Sequence, residues 1–169
     1  IRLSLVGSEM CIRDSGSPLL GYTGTRAYVV QLTSQAWRNP TEVDTTIWTH
    51  WVTIIVPEVE WLLGSVKNTA LILINGGDIG EAPPDISVSS PDYSNFRDLA
   101  AATRTIIVEL RCVPNQPLQF ADEAFSRSED EIIAYSWDKY LQGGDDYWPV
   151  QLPMVKSAVR CMDAVQDFA

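Results

Sequence analysis

Residues 69–75, TALILIN, are apolar over consecutive positions, and the run stops at Gly76 and Gly77 before the polar, proline-rich DIGEAPP. A strand points successive side chains to opposite faces, so a run that is apolar at both parities needs cover on both sides, as in a parallel sheet between helices. A second such run, TIIVEL, occupies 105–110. Between the two lies SSPDYSNFRDLAAATR, where Ser90 stands as an N-cap, Pro91 at the first helical position and Asp92 in the first turn. Tyr93, Phe96, Ala100 and Thr103 then recur on one helical face. Strand, helix, strand is a crossover unit, which predicts that the two apolar strands are parallel.

The flanking segments extend this pattern. AYVVQLTS at 27–34 and IWTHWVTIIV at 47–56 are β-branched and aromatic, and the turn signal Asn39-Pro40 between them predicts an antiparallel pair. A second helix is predicted over about 128–141, with Ser128 and Glu131 as a capping box, a buried stripe of Ile133, Trp137 and Tyr140 or Leu141, and Gly143-Gly144 at its end. A third starts at Pro153 and puts Val155, Ala158, Met162 and Val165 on one face. Hairpin, strand, helix, strand, helix, helix is the order of a mixed α/β sheet, and two parallel strands alone do not complete one. The pattern is that of the front part of a larger α/β protein.

At 169 residues the chain suits one domain, and its 46% apolar and 20% charged residues are near globular averages. No apolar run approaches the roughly 20 residues of a membrane-spanning helix. A net charge of −10 with no basic cluster sets nucleic acid aside, because that binding rests on Lys and Arg neutralising phosphates. Residues 1–15, IRLSLVGSEMCIRDS, resemble the translation of a sequencing adapter and are excluded from the fold, leaving 16–169 as the front of a single domain. Outside them, Cys112 and Cys161 are far apart and lack metal-ligand spacing, so buried thiols are expected, with a disulfide as the alternative, and no metal or cofactor site is predicted.

The candidate chemistry is concentrated after the apolar strands. Asn75, Gly76 and Gly77 form either an ordinary strand-ending turn or a loop whose backbone can approach a ligand closely. Glu109 and Arg111 share one face at the C-terminal end of their strand, where open α/β sheets bind ligands, or they form an ion pair bracing the next loop. That loop, 112–126, contains Asn115 and Gln116 and is long for a structureless connection. Leu118 and Phe120 argue that it is ordered, as a substrate-cleft wall. Asp145-Asp146 reads as a solvated turn, and Glu129, Asp130 and Glu131 as charges complementing a helix start. No Gly-x-Ser-x-Gly occurs, and the sole histidine, His50, falls in a strand as a packed or surface residue, too early in the chain for a triad histidine.

The stretches AYVVQLTSQAWRNPTEVDTTIWTHWVTIIVP, TALILINGG, VELRCVPNQPLQF and RSEDEIIAYSWDKYLQGGDDYWPVQLPMVKSAVRCMDAV together resemble the PhoPQ-activated pathogenicity-related proteins of bacteria. The resemblance spans about Ala27 to Ala169. PEVEWLLGSVKN at 57–68 is longer than that family suggests. The resemblance implies an α/β-hydrolase-like sheet cut before its nucleophile strand, in a protein exported to the envelope or periplasm. It makes Asn75, Gly76 and Gly77 the oxyanion loop, and Glu109, Arg111, Asn115 and Gln116 cleft-wall candidates. The complete form is then a serine hydrolase of a small-molecule or peptide-like ester, thioester or amide, and this chain is inactive because nucleophile and triad histidine are missing. A non-catalytic binding or interaction protein on the same scaffold is the alternative. Either way, the open apolar sheet edge predicts a chain prone to aggregate.

Overall fold

The computed structural model describes residues 2–5, 8–14, 24–57, 69–87 and 90–168. β1 (Arg2–Leu5) and β2 (Ser8–Asp14) form a hairpin laid on β3 (Thr25–Ala36), which pairs antiparallel with β4 (Ile47–Pro57) through a register shift between Thr33 and Gln35. The apolar run becomes β5 (Ala70–Ile74); helix α1 (Pro91–Thr103) then leads to β6 (Ile106–Leu110). β5 and β6 are parallel, as predicted, and β6 pairs antiparallel with β4 on its other side. The sheet order is β1-β2-β3-β4-β6-β5, so β5 is an edge strand among the described residues. A short ribbon, β7 (Leu118–Gln119) and β8 (Ser126–Arg127), orders the long loop before helices α2 (Asp130–Leu141) and α3 (Gln151–Phe168). Beyond Pro57, the segment flagged as long for the family lies outside the described residues.

The period of two sorts the sheet's residues onto two cores. Ala27, Val29, Ile55 and Ile107 face α1, where Tyr93 and Ala100 close the layer. Val30, Leu32, Val52, Ile54, Val108 and Leu110 face α3 through Cys161, Ala164 and Val165. Both cysteines outside the hairpin are buried free thiols. A third cluster gathers Trp37, Trp48, Phe120, Ile132, Tyr135 and Trp148, with Phe120 stacked on Tyr135 at 3.7 Å, and seats α2 beside the sheet's end.

Both later helices differ in phase from the sequence pattern. α2 starts at Asp130 with Glu129 at its N-cap and no side-chain cap, so Ser128 makes no capping box and gives only its carbonyl to the Glu131 N–H. Its buried residues are Ile132, Tyr135 and Ser136, while Trp137 and Leu141 face outward. α3 starts at Gln151, two residues before Pro153, and buries Pro153, Ser157, Cys161, Ala164 and Val165, leaving Val155 and Met162 exposed. Ser90 occupies the predicted N-cap of α1 but makes no side-chain cap bond there. The phase of α3 is set by hydrogen bonds that apolar counting cannot register.

Those bonds form one buried node. Ser34 Oγ of β3 lies 2.9 Å from His50 Nε2 of β4 and 3.1 Å from Ser157 Oγ of α3. Gln35 Nε2 donates to the Pro153 carbonyl at 2.6 Å and to Ser157 Oγ at 3.1 Å. On the imidazole's other side, Nδ1 lies 3.1 Å from the carbonyls of Arg111 and Cys112, which fixes Nδ1 as the protonated nitrogen and Nε2 as the acceptor of the Ser34 hydroxyl. His50 is 2% exposed, and burial pushes its pKa down from 6.5 to about 4. The unfolded chain therefore takes up this proton first as pH falls. The stabilisation is complete above pH 6.5, declines through the window down to about 4, and amounts to at most about 3 kcal/mol. Urea unfolding midpoints should accordingly fall between pH 6.5 and 5, and the fall should be absent in His50→Gln.

Candidate functional site at the C-terminal ends of the parallel strands

β5 and β6 end together, and the chain beyond them stays paired. The Asn75 N–H donates to the Leu110 carbonyl at 2.8 Å, the Cys112 N–H to Gly76 at 3.0 Å and the Val113 N–H to Asn75 at 3.2 Å. The loop 75–77 is thus held against 110–113 by its carbonyls. Among the described residues, the N–H groups of Gly76 and Gly77 donate to nothing. Gly77 has φ +129°, and a Cβ there would stand 3.1 Å from Glu81 Oε2 and 3.5 Å from the Cys112 nitrogen. Only glycine fits that backbone.

Most of the residues expected at the site converge here. Asn75 Nδ2 donates to Glu109 Oε1 at 2.7 Å, and Arg111 Nε lies 3.8 Å from the same oxygen, with Arg111 Nη1 4.0 Å from Glu81. Glu109 is buried and Arg111 is a third exposed, so the pair braces the loop while the guanidinium keeps one side toward solvent. Gln116 is buried: its carbonyl accepts the Ile79 N–H at 2.5 Å and its Oε1 the Glu129 N–H at 2.7 Å, which ties the glycine loop to the start of α2. Asn115 is fully buried beneath the site, donating to the Thr49 carbonyl and Cys112 Sγ, both at 3.1 Å. It supports the wall from behind. Asp145 stays outside the site, holding Arg38 at 2.8 Å.

Sequence reasoning passed over Glu129. Its backbone has φ 48° and ψ −121°, a combination rare outside glycine, and its Oε1 would lie 3.8 Å from a Cβ on Gly76. An acid before a helix reads as a complement to the macrodipole, so no signal in the sequence separated it from Asp130 and Glu131. Cys112, also at positive φ (65°), is at the site, but burial pushes its thiol pKa up and keeps it protonated. His50 supports the turn at 111–112 from inside the core and has no path to a substrate.

A family model described as PhoPQ-activated pathogenicity-related protein matches residues 20–169. The chain belongs to that family. Among relatives of the PhoPQ-related chain, autocrine proliferation repressor protein A of Dictyostelium discoideum is 33% identical over 150 residues, covering 87% of this chain and 28% of the relative. The chain thus spans under a third of that relative's length. No solved structure matches it. Every site residue named above lies inside the matched region.

The two glycines should respond differently to a methyl group. Gly77→Ala is expected to cost about 1–3 kcal/mol of stability, because it places a Cβ in a disfavoured backbone region against Glu81. Gly76→Ala, with nothing nearer than 3.8 Å, should cost well under half as much. Equilibrium denaturation of both variants checks the difference.

Proposed function

We propose that this chain is the front of an α/β-hydrolase-like domain, with Asn75, Gly76 and Gly77 as its oxyanion loop. The observation that carries the reading is the pair of unspent N–H groups at Gly76 and Gly77, presented at the C-terminal edge where open α/β sheets bind ligands. The strand order β3-β4-β6-β5, with β4 antiparallel to its neighbours and β5 parallel to β6, supports it. In the complete protein a serine oxygen attacks an ester, thioester or amide carbonyl, the leaving group departs with a proton, and water releases the acyl-enzyme. Glu109, Arg111 and Gln116 fix the loop in place for that step. By family resemblance, the protein works in the envelope or periplasm. The family match begins at residue 20, which favours an adapter origin for residues 1–15, although β1 and β2 pair into the sheet beside β3. Exposed Leu71 and Ile74 on β5, with Val155, Val159 and Met162 on α3, support the expectation that the chain alone aggregates.

The second reading is a non-catalytic binding protein on the same scaffold, a role compatible with the Dictyostelium relative being called a proliferation repressor. Kinetics separates the two. An extended form of the protein, closer in length to the Dictyostelium relative, should hydrolyse activated esters such as p-nitrophenyl acetate. Gly76→Pro, which removes one donor, should lower its kcat by about 10²–10³ with little change in KM. Absence of hydrolysis by a folded extended form decides for binding.

A further inference from the structure

Arg111 follows β6 directly, and its guanidinium carries five N–H donors in a planar fork. Among the described residues none of those donors makes a hydrogen bond. Nε lies 3.8 Å from Glu109 Oε1 and Nη1 4.0 Å from Glu81 Oε2, both beyond hydrogen-bond distance, and Nε is buried without a partner. The loop is held by other bonds: the Arg111 backbone N–H donates to the Trp51 carbonyl at 2.9 Å, and Asn75 donates to Glu109. Bracing therefore leaves most of the fork's capacity idle.

Glu81 shows what the fork is placed to hold. Its Oε2, the oxygen nearest Arg111, is also the atom 3.1 Å from a Cβ on Gly77, so one carboxylate oxygen stands beside both the guanidinium and the glycine loop. Trp51 Nε1 fixes the residue's backbone by donating to its carbonyl at 2.9 Å, while its carboxylate makes no hydrogen bond among the described residues and its side chain is 37% exposed. An exposed ion pair of this length contributes little. A carboxylate seated directly on the fork forms two parallel charge-assisted bonds, which are shorter and stronger. Exchanging one for the other is favourable, because Glu81 gives up only a loose contact and turns to water. With Glu109 already 3.8 Å from the guanidinium, a monoanion is accommodated better than a phosphate dianion, whose second charge adds repulsion.

We infer that Arg111 seats a carboxylate of the ligand in place of the Glu81 side chain, so that the site takes monoanionic carboxylates whose carbonyl group lies at the glycine loop. The inference rests on reading Gly76 and Gly77 as the ligand-facing edge, and it holds for a hydrolase and for a binding protein alike. For a hydrolase it makes the substrate a carboxylate-bearing ester, thioester or amide.

Calorimetric titration of the extended form at neutral pH with monomethyl glutarate and with dimethyl glutarate tests it. The charged monoester should bind at least about 10-fold more tightly than the neutral diester. Glu81→Gln should tighten the monoester by a further factor of about 3–10, because the competing carboxylate is gone, and Arg111→Gln should bring the two ligands level. Equal affinity for the two, no detectable binding of the monoester, or a Glu81→Gln variant that binds it no better overturns the inference. Tighter binding of inorganic phosphate than of the monoester overturns the assignment to carboxylates. Should Arg111→Gln not fold, the Glu81→Gln result decides. Ester turnover does not enter these readings, so failure of the hydrolase reading is seen separately, as absent hydrolysis of p-nitrophenyl acetate.

Discussion

The neutral imidazole of His50, on β4, ties together three further pieces of chain: β3 through Ser34, α3 through Ser34 and Ser157, and the turn after β6 through two carbonyls. Each polar group at the node would be costly to bury alone, and each finds a partner there. Because Nδ1 faces the carbonyls of 111 and 112, the strand end that carries the candidate site is held from the core side. Where α3 sits, and where the site's floor sits, are consequences of one hydrogen-bonded group.

On that floor the parallel pair β5 and β6 does a second job. Their ladder continues past the strand ends through the carbonyls of Asn75 and Gly76, which uses the acceptors and leaves the glycine N–H groups without a partner among the described residues. Glu109, held by Asn75 and Arg111, and Gln116, held by Ile79 and Glu129, lock this arrangement from two sides. A donor pair fixed in advance stabilises developing negative charge without reorganising, which gives such a loop value in carbonyl chemistry.

Much of the sheet was legible because strand signals are strong here. TALILIN and TIIVEL declared themselves as parallel strands by being apolar at both parities, and Asn39-Pro40 marked the hairpin. The helices were harder. Apolar residues lie on two sides of α3, so periodicity chose Val155 and Met162, whereas hydrogen bonds at Pro153 and Ser157 chose the buried side. In α2, the aromatic cluster around Phe120 claimed Tyr135, and Trp137 was left outside. Asn75, Gly76, Gly77, Glu109 and Arg111 were picked from strand ends and glycines and Gln116 from the length of its loop, and the structure brings these candidates together. The unusual backbone of Glu129 and the deep burial of Asn115 depend on long-range packing that no local pattern encodes.

The central claim, that Gly76 and Gly77 are oxyanion donors, is tested most directly by a crystal structure of the extended protein bearing a covalent phosphonate adduct. The account predicts a phosphonyl oxygen about 3 Å from the Gly76 or Gly77 nitrogen. An adduct whose oxygen is bound elsewhere, with both glycine N–H groups facing solvent, contradicts it.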